Sequence, residues 1–286
     1  MGGVDRIGST TLRLWRVALY LAWTVSLMPV QVLGLRLRQP WVATFPRFYH
    51  RRCCRILGLR VRTLGRPADA RPVLFAANHV SYLDITVFGS LLPASFIAKK
   101  EVASWPLFGW LAKLQRSVFV DRRARTTPQQ RDSIAARLAA GDALILFPEG
   151  TSGDGNRPLP FKSALFSVAD SPSVTVQPVS IAYTKLDGVP LGRVLRPLVA
   201  WYGSMTMAPH LWTLLGLGTV EVVVEFHPPT TLAACGSRKK LANYCRERIA
   251  AGVASALSGR RVPPQAAAPA QQPRPPAAPA AAAAIG

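Results

Sequence analysis

The chain has 286 residues, of which 49% are hydrophobic, and its 35 Lys and Arg against 14 Asp and Glu give a formal net charge of +21. This length can bury a sizeable core, and the hydrophobic content excludes a wholly disordered chain, because such chains combine high net charge with low hydrophobicity. The four cysteines contain no C-x-x-C pair, which fits neither a disulfide framework nor a zinc ribbon and indicates a reducing compartment.

Much of the positive charge lies near the N-terminus. Residues 1–66 contain twelve arginines and a single acid, Asp5. Such a cluster attracts nucleic acid or anionic lipid headgroups. Since the arginines adjoin an apolar stretch and no zinc-finger or RNA-binding motif is present, we expect membrane lipids and not nucleic acid as the partner.

Residues 17–35 form this apolar stretch, 19 residues without a charge. At 1.5 Å per residue this is about the minimum for a transmembrane helix. Pro29 and Gln31 interrupt it, so a helical hairpin lying in one leaflet is equally admissible, with Arg13 and Arg16 as the basic flank before it. A buried core helix and a cleaved signal peptide are the second and third alternatives. If the stretch spans the inner membrane, the heavier basic flank after it predicts a body facing the cytoplasm.

The remaining chain alternates short strands with helical patterns. The predicted strands are residues 56–62, 73–77, 95–98, 117–120, 143–147, 174–183 and 220–226. A helix over 128–140 is predicted between an N-cap at Thr127 and a stop at Gly141. The expected fold class is α/β, a mainly parallel sheet flanked by helices, preceded by an N-terminal membrane-associated helical segment. Binding sites in such sheets form beyond the carboxyl ends of strands.

Three domains follow from these patterns. We expect a membrane-anchoring segment over 1–55, the α/β domain over 56–260 and a disordered Pro/Ala tail over 261–286. Within the second, a helix opening at Ser237 has an apolar stripe at every fourth residue from Leu241 to Leu257, which predicts packing on the sheet or on the membrane. Residues 197–220 hold no charge, and we interpret them as an interfacial patch or an acyl-chain lining, with core packing as the alternative.

A histidine and an aspartate follow the predicted strand 73–77. In a continuous helix, His79 and Asp84 would point about 140° apart, so they can meet only if His79 lies in a loop and Asp84 in the first turn of the next helix. Ser81 favours this, because Ser-x-x-Asp is a capping-box pattern. The alternative is that Asp84 only caps the helix and His79 is a solvated loop residue.

As a pair, these two residues predict general-base catalysis. The carboxylate would orient the imidazole, whose other nitrogen would remove a proton from an attacking hydroxyl. Since no G-x-S-x-G motif occurs in the chain, that hydroxyl would belong to the substrate. The four histidines are scattered, so no metal site is expected.

Two further motifs follow. Residues 117–123, SVFVDRR, end a strand with arginines suited to an anionic headgroup, although this is also a common surface pattern. Residues 147–156, FPEGTSGDGN, form a glycine-rich loop that can bring backbone N–H groups near an anion. The alternative for residues 153–156 is a plain turn.

The motifs NHVSYLD, VFVDRR and FPEGT, in this order and followed by VQPV at 176–179, resemble those of the glycerophospholipid acyltransferase family, over about residues 70–185. The family includes bacterial lysophosphatidate acyltransferases. The resemblance implies that His79 is the general base and Asp84 its partner. It also implies substrate-binding roles, in the acceptor site for Phe119, Arg122, Pro148, Glu149, Gly150 and Thr151, and in acyl-donor binding for Pro178.

The implied reaction needs no cofactor. A fatty acyl group passes from an acyl carrier protein or coenzyme A thioester to the free hydroxyl of a lysolipid, expected to be 1-acyl-sn-glycerol-3-phosphate, in membrane phospholipid synthesis. The competing class is a non-catalytic membrane-surface module that binds lipid through its arginines.

The chain departs from the family's pattern at one position. The third motif usually continues with arginine after FPEGT, but here Ser152 stands in its place. Without that guanidinium, charge-assisted bonds to a phosphate monoester would have to come from other cations: Arg122, Arg123, Arg157 or Lys162. A related branch of the family acylates lyso-ornithine lipid, whose headgroup lacks phosphate, and this is the alternative acceptor.

Overall fold

In the computed structural model, which describes residues 8–120, 128–171 and 173–259, one mixed sheet carries helices on both faces. The helices are α1 (Thr10–Arg36), α2 (Phe45–Ile56), α3 (Leu83–Leu91), α4 (Phe108–Leu114), α5 (Pro128–Ala139), α6 (Met207–Leu215), α7 (Leu232–Cys235) and α8 (Arg238–Ser258). The strands are β1 (Leu59–Leu64), β2 (Val73–Ala77), β3 (Ser95–Lys99), β4 (Val118–Val120), β5 (Ala143–Leu146), β6 (Thr175–Leu186), β7 (Val189–Pro190), β8 (Val220–Phe226) and β9 (Thr230–Thr231). Four 3₁₀ segments are Pro40–Ala43, Lys100–Ser104, Ser163–Ala169 and Arg196–Leu198.

The sheet confirms the predicted fold class. Its strand order is β1-β8-β6-β2-β5-β3-β4, with β7 and β9 paired to β6. All pairings among β2, β3, β4, β5 and β6 on this path are parallel, as is β1 with β8. The long strand β6 pairs antiparallel with β8, a feature that the sequence pattern did not predict.

The predicted first strand begins too early. Residue Ile56 ends α2, and β1 starts only at Leu59. Gly58, which has a φ of +72°, stops the helix, and its N–H donates to the carbonyl of Arg55 at 3.2 Å. Ile56 and Leu57 are buried at this helix end, so an apolar pair that looks like the start of a strand belongs to a helix terminus.

Two hydrophobic clusters fill the two faces of the sheet. One joins the sheet to α2, α3 and α6, and the other joins it to α5, the segment Ser163–Ala169 and α8. The stripe predicted on the last helix lies in the second cluster, where Leu241, Cys245, Ile249 and Val253 are buried and Leu257 packs partly buried against them. β2 is buried on both faces, as expected for a central parallel strand.

Helix α1 has its polar residues on the side that faces the protein. The guanidinium of Arg16 is buried and donates to the carbonyls of Leu215, Leu217 and Gly218 at 3.1, 2.6 and 3.1 Å. Further along, the hydroxyls of Thr24 and Tyr49 lie 2.8 Å apart. Arg13 and Arg16, the basic flank before the apolar stretch, are therefore both buried against the protein.

The opposite side of α1 is apolar and exposed. Leu14 is 58% exposed and Val25 is 64% exposed, and Trp15, Leu21 and Leu33 are exposed as well. Among the described residues, α1 is the one helix long and apolar enough to cross a membrane by length and composition, and 17% of its most apolar window is buried.

The charge-free residues 197–220 divide between two environments. Leu214, Leu215 and Leu217 are buried in the core, whereas Trp212 stays partly exposed on α6. The predicted N-cap Thr127 and the Pro/Ala tail 261–286 lie outside the described residues.

Candidate active site

The site begins where β2 ends. The side chain of Asn78, the next residue, accepts from the N–H of Ile181 at 2.8 Å and donates to the carbonyl of Ile181 at 2.9 Å. Asn78 therefore extends the pairing of β2 with β6 by one side chain. This contact fixes the direction in which the chain leaves the carboxyl edge of the sheet, where sites in parallel sheets form.

His79 and Asp84 meet as the motif predicts. Nδ1 of His79 lies 2.7 Å from Oδ2 of Asp84, with His79 in the loop after β2 and Asp84 in the first turn of α3. The capping interpretation is met in part. The same Oδ2 accepts from the N–H of Ser81 at 3.1 Å, as a capping box requires, but the Ser81 hydroxyl accepts from the N–H of Leu83 at 3.4 Å and the N-cap residue of α3 is Tyr82. One carboxylate thus caps the helix and orients the imidazole.

Two more donors complete the surroundings of Asp84, which is fully buried. The N–H of Val80 donates to Oδ2 at 2.7 Å, and the hydroxyl of Tyr183 donates to Oδ1 at 2.7 Å. Burial, together with the neighbouring Asp84 carboxylate, raises the pKa of Tyr183 well above its usual value, so this hydroxyl keeps its proton. The carboxylate therefore has four donors and no freedom to rotate away from His79.

The imidazole of His79 is also held by stacking. Its ring lies 4.2 Å from the ring of Phe147, centroid to centroid, at an interplanar angle of 17°. The side chain is 19% exposed, and with Nδ1 bound to Asp84 the proton of the neutral ring stays on Nδ1. Nε2, which makes no hydrogen bond with a described residue, is then an unprotonated base open to a hydroxyl.

The third motif holds the backbone of His79. Oε1 of Glu149 accepts from the N–H of His79 at 3.0 Å, and the N–H of Gly153 donates to the carbonyl of His79 at 2.8 Å. Both backbone groups of the histidine are thereby fixed by the loop that follows β5. The predicted part of Glu149 in acceptor binding stays a prediction, and its visible contact is with the first motif.

Glu149 is itself an unusual carboxyl group. It is 3% exposed, and its Oε2 is buried and has no hydrogen-bond partner in the part of the chain that the structure describes. Its pKa is raised to about 8, chiefly by burial and also by the charges of Asp84 and Asp154, against the opposing effect of the N–H groups of His79 and Leu159. At neutral pH Glu149 is therefore mostly a neutral carboxylic acid.

Gly150 is required by the turn that follows. Its φ is +76°, and a Cβ at this position would stand 2.8 Å from Nζ of Lys162. Lys162 is an exposed residue whose N–H donates to the carbonyl of Pro148 at 2.9 Å and whose ammonium group lies next to Gly150. Thr151, the next predicted acceptor-site residue, is exposed, whereas Pro148 is buried.

The second motif lies farther from the dyad. Phe119 is half-buried in β4, opposite Ala98 of β3. Since β4 is three strands from β2, the two strands are about 14 Å apart in the sheet. Arg122 lies outside the described residues.

Pro178 is buried inside the sheet. It stands opposite Ala76 of β2, and its carbonyl accepts from the N–H of His227 at 3.0 Å. β6 pairs with β9 before this residue and with β8 from Val179 onward, so the proline, which has no N–H to donate, occupies the place where the partner strand changes. Its predicted role in donor binding stays a prediction.

Ser152, which stands where the family pattern has arginine, forms a contact inside the protein. Ser152 is buried, and its hydroxyl donates to the carbonyl of Trp201. The N–H of Trp201 in turn donates to the carbonyl of Val80 at 3.0 Å. The segment after β7 is therefore bonded to both the first and the third motif.

Sequence reasoning missed the part of Tyr183 and the stacking of Phe147. A signal for Tyr183 was available, because a tyrosine in a strand buried on both faces needs a partner for its hydroxyl. Which partner it has depends on a contact 99 positions away along the chain.

Comparison with known proteins places the chain in a family. A family model described as Acyltransferase matches residues 59–182. The lyso-ornithine lipid O-acyltransferase of Brucella abortus is 46% identical over 255 residues, which cover 86% of this chain and 96% of the relative. The chain belongs to the glycerophospholipid acyltransferase family, and it is an O-acyltransferase of lysolipids.

A second relative and a solved structure agree with this placement. The 1-acyl-sn-glycerol-3-phosphate acyltransferase of Neisseria gonorrhoeae is 36% identical over 202 residues, 69% of this chain and 75% of the relative. The crystal structure of the 1-acyl-sn-glycerophosphate acyltransferase PlsC from Thermotoga maritima matches with a TM-score of 0.67 at 22% identity, covering 88% of this chain and 97% of the other. This last likeness shows that the fold is shared.

Proposed function

We propose that this acyltransferase acts on the hydroxyl group of lyso-ornithine lipid. Two observations support this acceptor. The more similar relative, at 46% identity against 36%, carries that name, and Ser152 removes the guanidinium that a phosphate monoester would use. The comparisons thus favour the alternative acceptor over 1-acyl-sn-glycerol-3-phosphate, and membership of an enzyme family sets aside the non-catalytic module.

The 2.7 Å contact between His79 and Asp84 carries the mechanism. Nε2 of His79 removes the proton of the acceptor hydroxyl while its oxygen attacks the carbonyl carbon of the acyl thioester. The C–O bond forms, the C–S bond breaks, and the imidazolium returns the proton to the departing thiolate. Asp84 stabilises the imidazolium during this cycle and keeps the proton-accepting nitrogen directed outward.

The thioester donor is proposed to be acyl carrier protein or coenzyme A. Either supplies the same reacting atoms, so the proton transfers at His79 are identical for both. Phe119, Arg122 and Pro178 keep their proposed binding roles on the resemblance to the family motifs.

The enzyme is proposed to work at the cytoplasmic face of the inner membrane. The exposed side of α1 is apolar, while Arg51, Arg52 and Arg55 are exposed on the neighbouring helix α2. An apolar helix face beside a row of arginines suits a bilayer surface that contains anionic lipid.

A competition assay tests the acceptor. Lyso-ornithine lipid and lysophosphatidate, offered together with one acyl thioester to the enzyme in membranes, are expected to be acylated with kcat/KM in favour of lyso-ornithine lipid. A preference for lysophosphatidate would overturn the proposal.

His79→Ala tests the mechanism. We expect acyl transfer to be lost, while membrane attachment and the thermal unfolding midpoint stay close to those of the wild type. Retention of full activity by the folded variant would refute general-base catalysis by His79.

A further inference from the structure

Three aromatic side chains lie together beside the dyad, and we refer to Tyr82, Trp105 and Trp201 as the aromatic cluster. The rings of Tyr82 and Trp201 are 6.0 Å apart and tilted by 59°, and those of Trp105 and Trp201 are 6.4 Å apart and perpendicular at 89°. All three residues are half-buried. Tyr82 lies between His79 and Asp84 in the chain, and the N–H of Trp201 donates to the carbonyl of Val80, the residue after His79, at 3.0 Å, so the cluster is bonded to the loop that carries the dyad.

Trp201 is fixed in this position by three hydrogen bonds. Its N–H and its carbonyl are bonded to Val80 and Ser152, and its indole Nε1 donates to the carbonyl of Met205 at 2.9 Å. The serine that replaces the family's arginine therefore holds the backbone of the central ring of the cluster.

Tyr82 is fixed by its hydroxyl. Nε2 of His210 lies 3.1 Å from the carbonyl of Pro197, to which it can only donate. Nδ1 of the neutral ring is then an acceptor, and the Tyr82 hydroxyl donates to it at 2.9 Å. Burial lowers the pKa of His210, which keeps this ring neutral. The electron-rich ring of Tyr82 thus keeps one orientation next to Trp201.

The charge at this place is different from that of the family's pattern. Residues 197–220, which supply Trp201 and His210, hold no Lys, Arg, Asp or Glu, and Ser152 introduces none. A guanidinium at position 152, whose side chain contacts the backbone of Trp201, would repel a cation bound at the cluster. With serine there, position 152 adds no cation that would compete for the rings of the cluster.

We propose that the aromatic cluster binds the ammonium group of the acceptor headgroup through cation–π contacts. This inference rests on the proposed function and extends it to headgroup selection. Ornithine has two amino groups, so a lipid that acylates one of them keeps the other as an ammonium ion. Lysophosphatidate has a phosphate and no cation, and it gains nothing from aromatic faces.

Two acceptors that differ only in the ammonium group test this proposal. A β-hydroxyacyl amide of ornithine carries it, and the same amide of norvaline has the same carbon chain and carboxylate without it. For the wild-type enzyme we expect kcat/KM to favour the ornithine acceptor by about 2-fold to 30-fold, the range of cation–π energies. Equal rates would overturn the proposal.

Variants then locate the effect. Trp201→Leu and Trp105→Leu are expected to lose the preference mainly by raising KM for the ornithine acceptor, with little change for the norvaline acceptor. Trp201→Phe, which keeps an aromatic face, should retain part of it. Trp110→Leu is the matched control, because Trp110 is an exposed tryptophan on α4 outside the cluster.

Other outcomes distinguish the remaining explanations. If the cluster is instead part of an interfacial aromatic belt, both Leu variants lower transfer to both acceptors equally and weaken binding to phosphatidylglycerol vesicles, which overturns the proposal. If the wild type acylates lysophosphatidate but neither amide, the proposed acceptor is wrong as well. If both folded Leu variants keep the preference for the ornithine acceptor, cation–π binding by the cluster is refuted, while the proposed acceptor is not affected.

Discussion

The neutral state of Glu149 gives the most quantitative prediction. Its pKa is raised from 4.5 to about 8 in the folded protein, chiefly by burial. In the unfolded chain this group ionises near pH 4.5, whereas the folded protein keeps it protonated. The free energy of unfolding is therefore highest, as far as Glu149 is concerned, below pH 4.5, and it falls as the pH rises through 8. Between these two pH values the free energy of unfolding is expected to decrease by on the order of 3–5 kcal/mol, at 1.36 kcal/mol per pKa unit.

Glu149→Gln removes this titration and keeps an acceptor for the N–H of His79. The free energy of unfolding, measured by urea titration in detergent, is therefore expected to favour the variant increasingly between about pH 5 and pH 8 and to stay level above that. Glu221→Gln, at a glutamate on β8 that pairs with Arg60 and Lys185, is the matched control for the substitution itself. A difference that does not vary with pH would show that Glu149 ionises freely, and the reasoning from its burial would be wrong.

Three further substitutions test the contacts around the site and helix α1. Asp84→Asn replaces one of the two carboxylate oxygens, which together accept from four donors, with an NH₂ group, and it allows the wrong tautomer of His79. We expect kcat to fall by about 10²–10⁴ while circular dichroism shows an intact fold. Unchanged turnover would mean that Asp84 only caps the helix. Tyr183→Phe leaves Oδ1 of Asp84 without its donor, and urea titration should show a loss of about 1–3 kcal/mol with a smaller effect on kcat; a neutral result would mean that water replaces the hydroxyl. Arg16→Met removes the donors to three carbonyls at the end of α6 and should speed proteolysis between α1 and α2, measured on the membrane-bound enzyme against Arg36→Met as the control.

Local patterns predicted the parts of the fold that depend on neighbouring residues. The strands β2, β5 and β8 and the stripe on α8 follow from short apolar periodicity, which is set within a few residues. The placement of Asp84 could be derived in the same way, because Ser81 and Asp84 are close enough in the chain to cap one helix turn. The start of β1 could not, since an apolar pair at the end of α2 has the same composition as a strand.

Tertiary contacts decide which side of α1 faces the rest of the protein. Hydropathy identifies 17–35 as apolar, but it does not tell which side of the helix faces the protein. Arg16 finds the carbonyls at the end of α6 only after the chain has folded, because Leu215 is 199 positions away in the sequence. A basic residue that looks like a flank of a membrane segment is for this reason a buried structural contact.

By itself the sequence predicted the contact between His79 and Asp84 and determined the three motifs and the family that they indicate, because these depend on residue types at short spacing. The tertiary structure alone decided that Tyr183 donates to Asp84, that Glu149 holds the backbone of His79 and that Ser152 turns inward to Trp201. Such contacts join residues 49–99 positions apart, and their partners are chosen by how the strands and loops pack at the edge of the sheet. No local pattern contains that information, because many polar groups of the chain could serve as the hydrogen-bond partner of each residue. Only the folded structure brings one of them into contact.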